Sequence, residues 1–486
     1  MTKGYQVRLP TKIVYGLGSV SDGVKNTTFN VFLLFFYTQV AGLSGSLAGA
    51  AILIALVFDA VSDPLIGNIS DNFHSRWGRR HPFMYAAALP MAVFFGLIFS
   101  PPQGLGQAGL FAWMLTMAIG VRVSMTLYAI PSGALVAEMT SHYDERTSLV
   151  SFRVLSGWLG GLVASQMGYL VFFAPSAAYA DGRLDPQAYG DYAIFGAITI
   201  FCAILICAFG THRLIPELKS PPAPTPFTLG RFGVELREVF SNRPYLVLVF
   251  TVLVVSTATG FTDVMGLYVN TYFWEFTTAQ LAIIVFGALG GTLVAFSVTA
   301  TLAQRSDKRT MALAMLLVVV IFGPMPVVLR LLGLMPENGD PLLLGIMIAW
   351  TGLIVFVAVG VTILAGSMIA DTVDLNELRT GKRQEGMFSA ALGLTAKATS
   401  GIGGFVGGVV LDVVDFPTGA AAGEVDPDTV FALGVAVGPG MFLLWVTVLI
   451  ILSRYRLSRA DHADILRQLE ARRNDAERPG GEAAAP

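Results

Sequence analysis

The chain has 486 residues, of which 54% are hydrophobic and 13% charged, with a formal net charge of −2 and a mean hydropathy of +0.66. A soluble globular protein carries about 25% charged residues, so this composition excludes an ordinary soluble domain and indicates a protein that crosses a membrane many times. The near-neutral charge gives no attraction to nucleic acid, and the two cysteines, both in one apolar run, indicate neither a disulfide framework nor a metal site.

Twelve apolar stretches are each long enough to cross a bilayer, for which a helix needs about 20 residues. They lie at roughly 13–41, 45–71, 83–101, 108–138, 150–175, 190–213, 244–274, 278–303, 310–334, 341–377, 387–415 and 429–454. The sequence therefore predicts an all-α membrane protein of twelve transmembrane helices, which are called span one to span twelve below.

A proline-rich segment after the sixth span divides the chain into two similar halves. Each half has a charged loop after its second span and another after its fourth. Repeats of this kind, related by an axis along the membrane normal, place a binding site at their interface. We therefore predict a six-helix half at 1–214, a cytoplasmic linker at 215–243, a second six-helix half at 244–456 and a tail at 457–486.

The positive charges predict the orientation. Most of the 31 lysine and arginine residues fall in the tails and in the loops of one side, whereas acidic residues dominate the loops of the other side. Because cytoplasmic loops are rich in lysine and arginine, we expect both termini in the cytoplasm. The expected location is the plasma (inner) membrane, where the lipid bilayer surrounds a monomer.

Two carboxylates interrupt the apolar second span. Asp59 and Asp63 are one helical turn apart and therefore share a face. A carboxylate at bilayer depth costs roughly 3 kcal/mol, and two of them repel each other unless a positive charge joins them. The pair suits a Na⁺ ion or one shared proton. Alternatively, Asp59 pairs with a basic residue for stability alone, and Arg122 of span four is expected to face a cavity or another acid.

Other polar side chains within the spans predict contacts with a polar substrate in a water-filled cavity. Span one has Asp22, Lys25 and Asn26 at helical spacing, although Asp22 and Lys25 can instead form a purely structural pair. Arg153 stands near the start of span five, from which its side chain can reach inward.

Span eleven combines one lysine with many glycines. Lys397 is the one charged residue in the interior of that span, so we expect it to bind substrate or to pair with Asp59 and Asp63 across the bundle. The GIGGFVGG run that follows it predicts close helix packing.

Charged residues at the cytoplasmic ends of the spans predict contacts that close an inner gate. They stand in or beside the charged loops that recur in each half. The predicted gating residues are Asp71, Arg76, Arg79, Arg80, Glu145, Arg146, Asp371, Asp374 and Arg383. No nucleotide-binding glycine-rich loop is present, so we expect neither enzyme activity nor a cofactor beyond the coupling ion, Na⁺ or H⁺.

Five short motifs resemble those of one transporter family. They are Tyr15-Gly-Leu-Gly, Asp59-Ala-Val-Ser-Asp63-Pro64, Ser75-Arg-Trp-Gly-Arg-Arg-His-Pro82, Tyr143-Asp-Glu-Arg-Thr147 and Ala370-Asp-Thr-Val-Asp374. With them the chain resembles, over nearly its whole length, the glycoside–pentoside–hexuronide:cation symporters, the melibiose permease group of the major facilitator superfamily. The resemblance implies two six-helix halves that rock between inward-facing and outward-facing states.

The resemblance also implies a cation site formed by Asp59, Asp63 and Thr126. Ser62 stands where the melibiose permease has an asparagine, next to the second aspartate. Because serine can still bind Na⁺, the choice between Na⁺ and H⁺ stays open.

The sugar site departs from that of the melibiose permease. Arg153 and Lys397 match the family's arginine of span five and lysine of span eleven, but the two sugar-binding aspartates fall on Gly23 and Ala129, and the stacking tryptophan falls on Gly133. We expect a transporter that couples Na⁺ or H⁺ to the uptake of a sugar, glycoside or related organic acid. Alternatives are a cation-coupled carrier of a lysolipid-like amphiphile and a non-transporting membrane receptor.

Overall fold

The computed structural model describes residues 7–140, 142–218, 242–305, 307–381 and 385–477. None of these described residues forms a β-strand. Among them, nine helices are long and apolar enough to cross a membrane, and His81–Leu97 and Thr399–Val413 are shorter apolar helices. With a first span built from short segments, these helices match the twelve predicted spans, so the predicted fold class is confirmed.

The helices follow the chain in the predicted order. Spans one to six are Leu9–Leu17 with Val20–Thr27 and shorter segments to Val40, then Gly45–Asn72, His81–Leu97, Gln107–Met139, Tyr143–Met167 and Pro186–His212. Spans seven to twelve are Arg243–Tyr268, Thr278–Arg305, Lys308–Phe322 with Met325–Leu331, Pro341–Thr380, Glu385–Val413, and Pro427–Val435 with Met441–Ser453. A tail helix, Arg459–Glu477, comes last.

Two long spans begin at an aspartate that accepts a hydrogen bond from the first helical turn. Asp185 accepts one from the backbone N–H of Gln187 at 2.9 Å, and Asp340 accepts one from that of Leu342 at 2.8 Å. A proline follows each aspartate, at the first helical position, where a backbone N–H would have no partner within the helix. These acids of the predicted outer loops therefore fix where spans six and ten start.

Span one is broken into short segments. Leu9–Leu17 and Val20–Thr27 are α-helical, whereas Thr28–Phe32 and Phe36–Val40 are π-helical. A π-helical turn holds an extra residue and occurs often at functional sites. The break follows directly on the polar residues of this span.

The packing divides the chain into two compact units. The first comprises 1–227, 259–283 and 400–434, and the second comprises 228–258, 284–399 and 435–486. The first unit therefore joins spans one to six with segments of spans seven, eight, eleven and twelve. The six-helix halves inferred from the sequence repeat stay a prediction, and residues 219–241 of the proposed linker lie outside the described residues.

Aromatic rings fill the first unit between spans one, five and six. The ring centroid of Phe32 lies 5.0 Å from that of Phe173 and 5.4 Å from that of Tyr192, and Phe173 lies 4.5 Å from Tyr189. All four side chains are fully buried. Aromatic pairs at such distances add packing energy to a large buried area, so they hold span one against its neighbours.

Spans two and eleven touch through their backbones within the first unit. A Cβ atom on Gly45 would lie 2.3 Å from the carbonyl oxygen of Gly408, and one on Gly408 would lie 2.0 Å from that of Gly45. The carboxylate of Asp412 accepts hydrogen bonds from the backbone N–H groups of Gly45 at 2.7 Å and Ser46 at 2.8 Å. The close packing predicted from the glycine run is confirmed.

The tail helix packs against span ten within the second unit. Ile465 and Leu469, each 6% exposed, contact Leu375. The Nε2 atom of His462 lies 3.0 Å from Oδ2 of Asp374. The tail helix is therefore part of a packed unit.

Candidate functional site

Asp59 and Asp63 meet a single hydroxyl group. The Oγ1 atom of Thr126, on span four, lies 3.0 Å from Oδ1 of Asp59 and 2.9 Å from Oδ1 of Asp63. Asp59 and Thr126 are buried, and Asp63 is half-buried. A hydroxyl group carries one hydrogen, so Thr126 cannot donate a full hydrogen bond to both carboxylates at once. Oxygen atoms of three side chains therefore converge at one place, and their role as a cation site stays a prediction.

Arg122 joins the same group. Its Nη1 atom lies 3.4 Å from Oδ2 of Asp59, and its Cζ atom lies 5.5 Å from the ring centroid of Phe29. Arg122 stands one helical turn before Thr126, so both side chains reach the carboxylates from one face of span four. Arg122 thus faces an acid, Asp59, and Asp59 has a basic partner, as in the alternative considered from the sequence.

Ser62 uses its hydroxyl hydrogen within its own helix. Its Oγ atom donates to the backbone carbonyl of Asp59 at 3.2 Å. Hydroxyl groups in membrane helices often bond their own backbone in this way. Ser62 as a cation ligand therefore stays a prediction.

The predicted substrate residues of span one differ in exposure, since Asp22 and Lys25 are half-buried and Asn26 is exposed. The Lys25 Nζ atom is 3.2 Å from Oδ1 of Asp22, as in the structural alternative considered from the sequence. Asn26 is exposed although it lies in a predicted membrane span. The substrate roles of these three residues stay predictions.

Gly23 packs against span five. A Cβ atom on Gly23 would lie 2.0 Å from the carbonyl oxygen of Gly157, which is a backbone atom and cannot rotate away. An aspartate at this position would therefore not fit. The close contact between spans one and five therefore leaves no room at position 23 for the family's sugar-binding aspartate.

Arg153 occupies the space beside Gly133. A Cβ atom on Gly133 would lie 3.1 Å from Nη1 of Arg153. The guanidinium group donates to Tyr15 Oη at 3.2 Å and to Ser19 Oγ at 3.4 Å. Arg153 thus faces span one, where a substrate contact is predicted. The side chain of Lys397, the other basic residue of that prediction, lies outside the described part of the chain.

Three of the predicted gating residues belong to one charge cluster in the first unit. Arg80 contacts Asp71, and its Nε atom lies 2.8 Å from Oε1 of Glu138, the same oxygen that lies 2.7 Å from Nη2 of Arg79. The buried Glu138 was missed from the sequence, although an acid at the end of a span opposite an arginine-rich loop was a signal for it. Arg76 instead lies over the ring of Trp77, at 5.3 Å from its centroid.

The next two gating residues also find partners in the first unit. Glu145 Oε2 lies 2.9 Å from Nζ of Lys12, and Arg146 Nε donates to the carbonyl of Thr140 at 3.0 Å. Lys12 belongs to the first segment of span one. Its contact with Glu145 ties that segment to the start of span five.

Gating residues of the second unit contact basic residues there. Asp371 Oδ1 lies 2.7 Å from Nζ of Lys308, and 3.6 Å from Nε2 of His462, which also contacts Asp374. Arg383 lies outside the described residues. A gating role for all nine residues stays a prediction.

The sequence reasoning also missed a carboxylate in span seven. Asp263 lies within Arg243–Tyr268, and the Nδ2 atom of Asn30 lies 3.4 Å from its Oδ2 atom. The signal was available, since Asp263 is the one acidic residue between Arg243 and Phe273.

Residues 14–459 match a family model described as MFS/sugar transport protein. The chain is 30% identical to an uncharacterised symporter of Synechocystis sp., over 97% of this chain and 98% of that protein. It is 29% identical to the isoprimeverose transporter of Lactiplantibacillus pentosus, over 81% of this chain and 78% of that protein.

The fold is similar to that of solved transporters. One structure of the nucleoside transporter NupG gives a TM-score of 0.61 at 14% identity, covering 90% of this chain and 99% of that protein. At that identity the similarity concerns the fold alone.

Proposed function

Because the chain belongs to the MFS/sugar transport protein family, we propose that it couples Na⁺ or H⁺ to the uptake of a sugar, glycoside or related organic acid. Membership of this family makes it a multi-pass membrane transporter rather than an enzyme. Transport proceeds by alternating access. The coupling ion binds between Asp59 and Asp63.

One observation carries the coupling site. A single hydroxyl, that of Thr126, lies within 3.0 Å of oxygens from both carboxylates. Two carboxylates that meet at one hydroxyl repel each other, and a cation or proton bound between them offsets that repulsion. Na⁺ prefers oxygen ligands of this kind, and a proton on either carboxylate would remove one of the two negative charges.

The substrate class is supported by the family description and by the polar residues of span one. The relative from Lactiplantibacillus pentosus is named for isoprimeverose, and Asn26 and Asn30 are exposed polar groups on a predicted membrane helix. The positive charges of the loops support cytoplasmic termini in an inner membrane. The transporter works as a monomer.

Transport by the purified protein in proteoliposomes tests this proposal. An inward Na⁺ gradient or an inward H⁺ gradient is imposed, and uptake of radiolabelled isoprimeverose, xylose, glucuronate and a lysophospholipid is measured. We expect one gradient to drive accumulation of a sugar or sugar acid, and an ionophore that collapses the gradient to stop it. Accumulation of the lysophospholipid alone would identify the amphiphile carrier, and no gradient-dependent uptake would contradict the proposal.

A further inference from the structure

Asp263 is a carboxylate in an apolar helix that the coupling site does not use. It stands in Arg243–Phe273, a segment apolar enough to cross a membrane, and its neighbours Phe261 and Val264 are buried. A carboxylate in such a helix is expensive and usually marks a site within the protein. Asp263 belongs to the first compact unit, together with span one.

The described part of the chain compensates this carboxylate only weakly. Within the described part of the chain, its one polar contact is the amide of Asn30, whose Nδ2 atom lies 3.4 Å from Oδ2 of Asp263. That distance exceeds the usual range for an N–H···O hydrogen bond. An amide is also neutral, so it leaves the charge in place and most of the acceptor positions of the carboxylate open.

Span one presents further polar groups next to this pair. Asn30 lies in the π-helical segment Thr28–Phe32, and Asn26 lies just before it. Both asparagines are exposed, whereas Thr28 and Phe29 between them are buried. The exposed side of span one therefore offers amide donors and acceptors next to an under-satisfied carboxylate.

Hydroxyl groups fit this arrangement better than anionic or apolar groups do. A carboxylate can accept two hydrogen bonds from neighbouring hydroxyls, and an asparagine amide can donate to one and accept from another. A carboxylate of the ligand would be repelled by Asp263, and an acyl chain would leave Asp263 without partners.

We propose that Asp263 and Asn30 bind neighbouring hydroxyl groups of a neutral sugar. The inference rests on the proposed transport function and deepens it by naming the substrate chemistry and two residues that select it. Asp263 replaces neither Asp59 nor Asp63, because it serves the substrate and not the coupling ion.

Binding of defined sugars to the purified full chain tests the inference. Equilibrium dialysis measures the Kd of isoprimeverose, as a neutral probe, and of glucuronate, as an anionic probe, for wild type, Asp263→Asn and Asn30→Ala. Hydrogen bonds to a charged group contribute enough that we expect isoprimeverose binding to weaken at least about tenfold in Asp263→Asn. We expect a smaller loss in Asn30→Ala and no loss of glucuronate binding in Asp263→Asn.

Asp415→Asn is the matched control. Asp415 is exposed in the first unit and has a left-handed backbone that asparagine also adopts, so this variant makes the same chemical change away from the site. We expect wild-type sugar binding in it. The shift in Tm that Na⁺ causes in each variant is a second readout. We expect this shift to be the same in Asp263→Asn as in the wild type.

Three outcomes would overturn the inference. The first is that Asp263→Asn binds isoprimeverose as well as the wild type does. The second is that this variant loses its stabilisation by Na⁺, which would make Asp263 a coupling residue. The third is that the wild type binds no neutral sugar. The last outcome leaves the proposed function standing if an ion gradient still drives uptake of glucuronate, so the two failures are distinguishable.

Discussion

At the scale of single residues, two carboxylates of span two meet one hydroxyl group of span four. Thr126 has a single hydroxyl hydrogen for Asp59 and Asp63, and Arg122 adds a positive charge at 3.4 Å from Asp59. The two carboxylates therefore have different surroundings, because the guanidinium contact is to Asp59. Their replacement by asparagine should have different consequences.

Asp63→Asn should abolish concentrative uptake while leaving measurable substrate binding that no longer responds to Na⁺ or pH. The variant removes an acceptor of the proposed cation but keeps the contact of Arg122 with Asp59. Substrate binding in detergent, with and without Na⁺ and across pH, is the measurement. Unchanged cation stimulation would show that the pair is structural.

Asp59→Asn should impair coupling as well, and it should also destabilise the fold. It leaves the buried guanidinium of Arg122 beside a neutral amide, and breaking a buried ion pair costs about 3–5 kcal/mol. We therefore expect a lower Tm for Asp59→Asn than for Asp63→Asn in thermal unfolding monitored by intrinsic fluorescence. Equal Tm values would mean that the contact at 3.4 Å contributes little.

Thr126→Val should weaken the response to the coupling cation and leave the fold intact. Valine has nearly the same shape but no hydroxyl, so the substitution removes one cation ligand and one hydrogen-bond donor. With Na⁺ as the coupling ion, we expect the Na⁺ concentration for half-maximal binding of substrate to rise about tenfold, the effect of roughly 1.4 kcal/mol. Thr251→Val is the matched control, because the hydroxyl of Thr251 donates to the carbonyl of Val247 in its own helix.

The predicted cation ligands Asp59, Asp63 and Thr126 lie together in the structure, and their role in binding a cation stays a prediction. Asp59, Asp63 and Thr126 were found because carboxylates are rare in apolar spans and their motif resembles that of one family. The partners of Glu138 and Asp263 could not be predicted from the sequence, because each meets its partner only through packing. Glu138 lies 58 positions from Arg80 in the sequence, and Asp263 lies 233 positions from Asn30.

At the scale of helices, glycine sets how closely spans two and eleven approach. The backbone contact between Gly45 and Gly408 leaves no room for a Cβ atom on either residue. The sequence predicted this packing from the glycine run alone. It did not predict the π-helical segments of span one, because hydropathy depends on residue type and not on which carbonyl each N–H meets.

Gly45→Leu should separate the ends of spans two and eleven. The added side chain meets a carbonyl oxygen at 2.3 Å, which a rotamer change cannot relieve. The test uses a protein that carries Ser46→Cys and lacks the two native cysteines. In this background, we expect Gly45→Leu to make the cysteine at position 46 react faster with a polar maleimide. Gly345→Leu in span ten is the control, since nothing lies within 4 Å of its added Cβ atom. An equal labelling rate in both variants would contradict the expectation.

At the scale of the whole molecule, hydropathy was sufficient for the count and order of the spans. Hydropathy did not predict where the tail helix lies. An amphipathic helix that packs on a protein has the same hydropathy pattern as one that lies on a membrane surface. In the structure, Ile465 and Leu469 contact Leu375, so the tail helix completes the second unit.

Ile465→Asp should release the tail helix from span ten. A charge in place of a side chain that is 6% exposed removes about 2–5 kcal/mol of packing. We expect a lower Tm and faster tryptic cleavage in the tail. Leu466→Asp is the matched control, because Leu466 is 42% exposed and should tolerate the charge. Equal cleavage rates would mean that the tail does not depend on this contact.

The contact of Asp412 with the start of span two has a consequence for how mutations accumulate. Its two donors are backbone N–H groups, which every amino acid except proline provides, so substitutions at Ser46 other than proline leave the donor in place. The acceptor is a single carboxylate, and most substitutions at Asp412 remove it. In a random library selected for loss of this contact, we therefore expect many different residues at 412, proline at 46, and proline or bulky residues at 45.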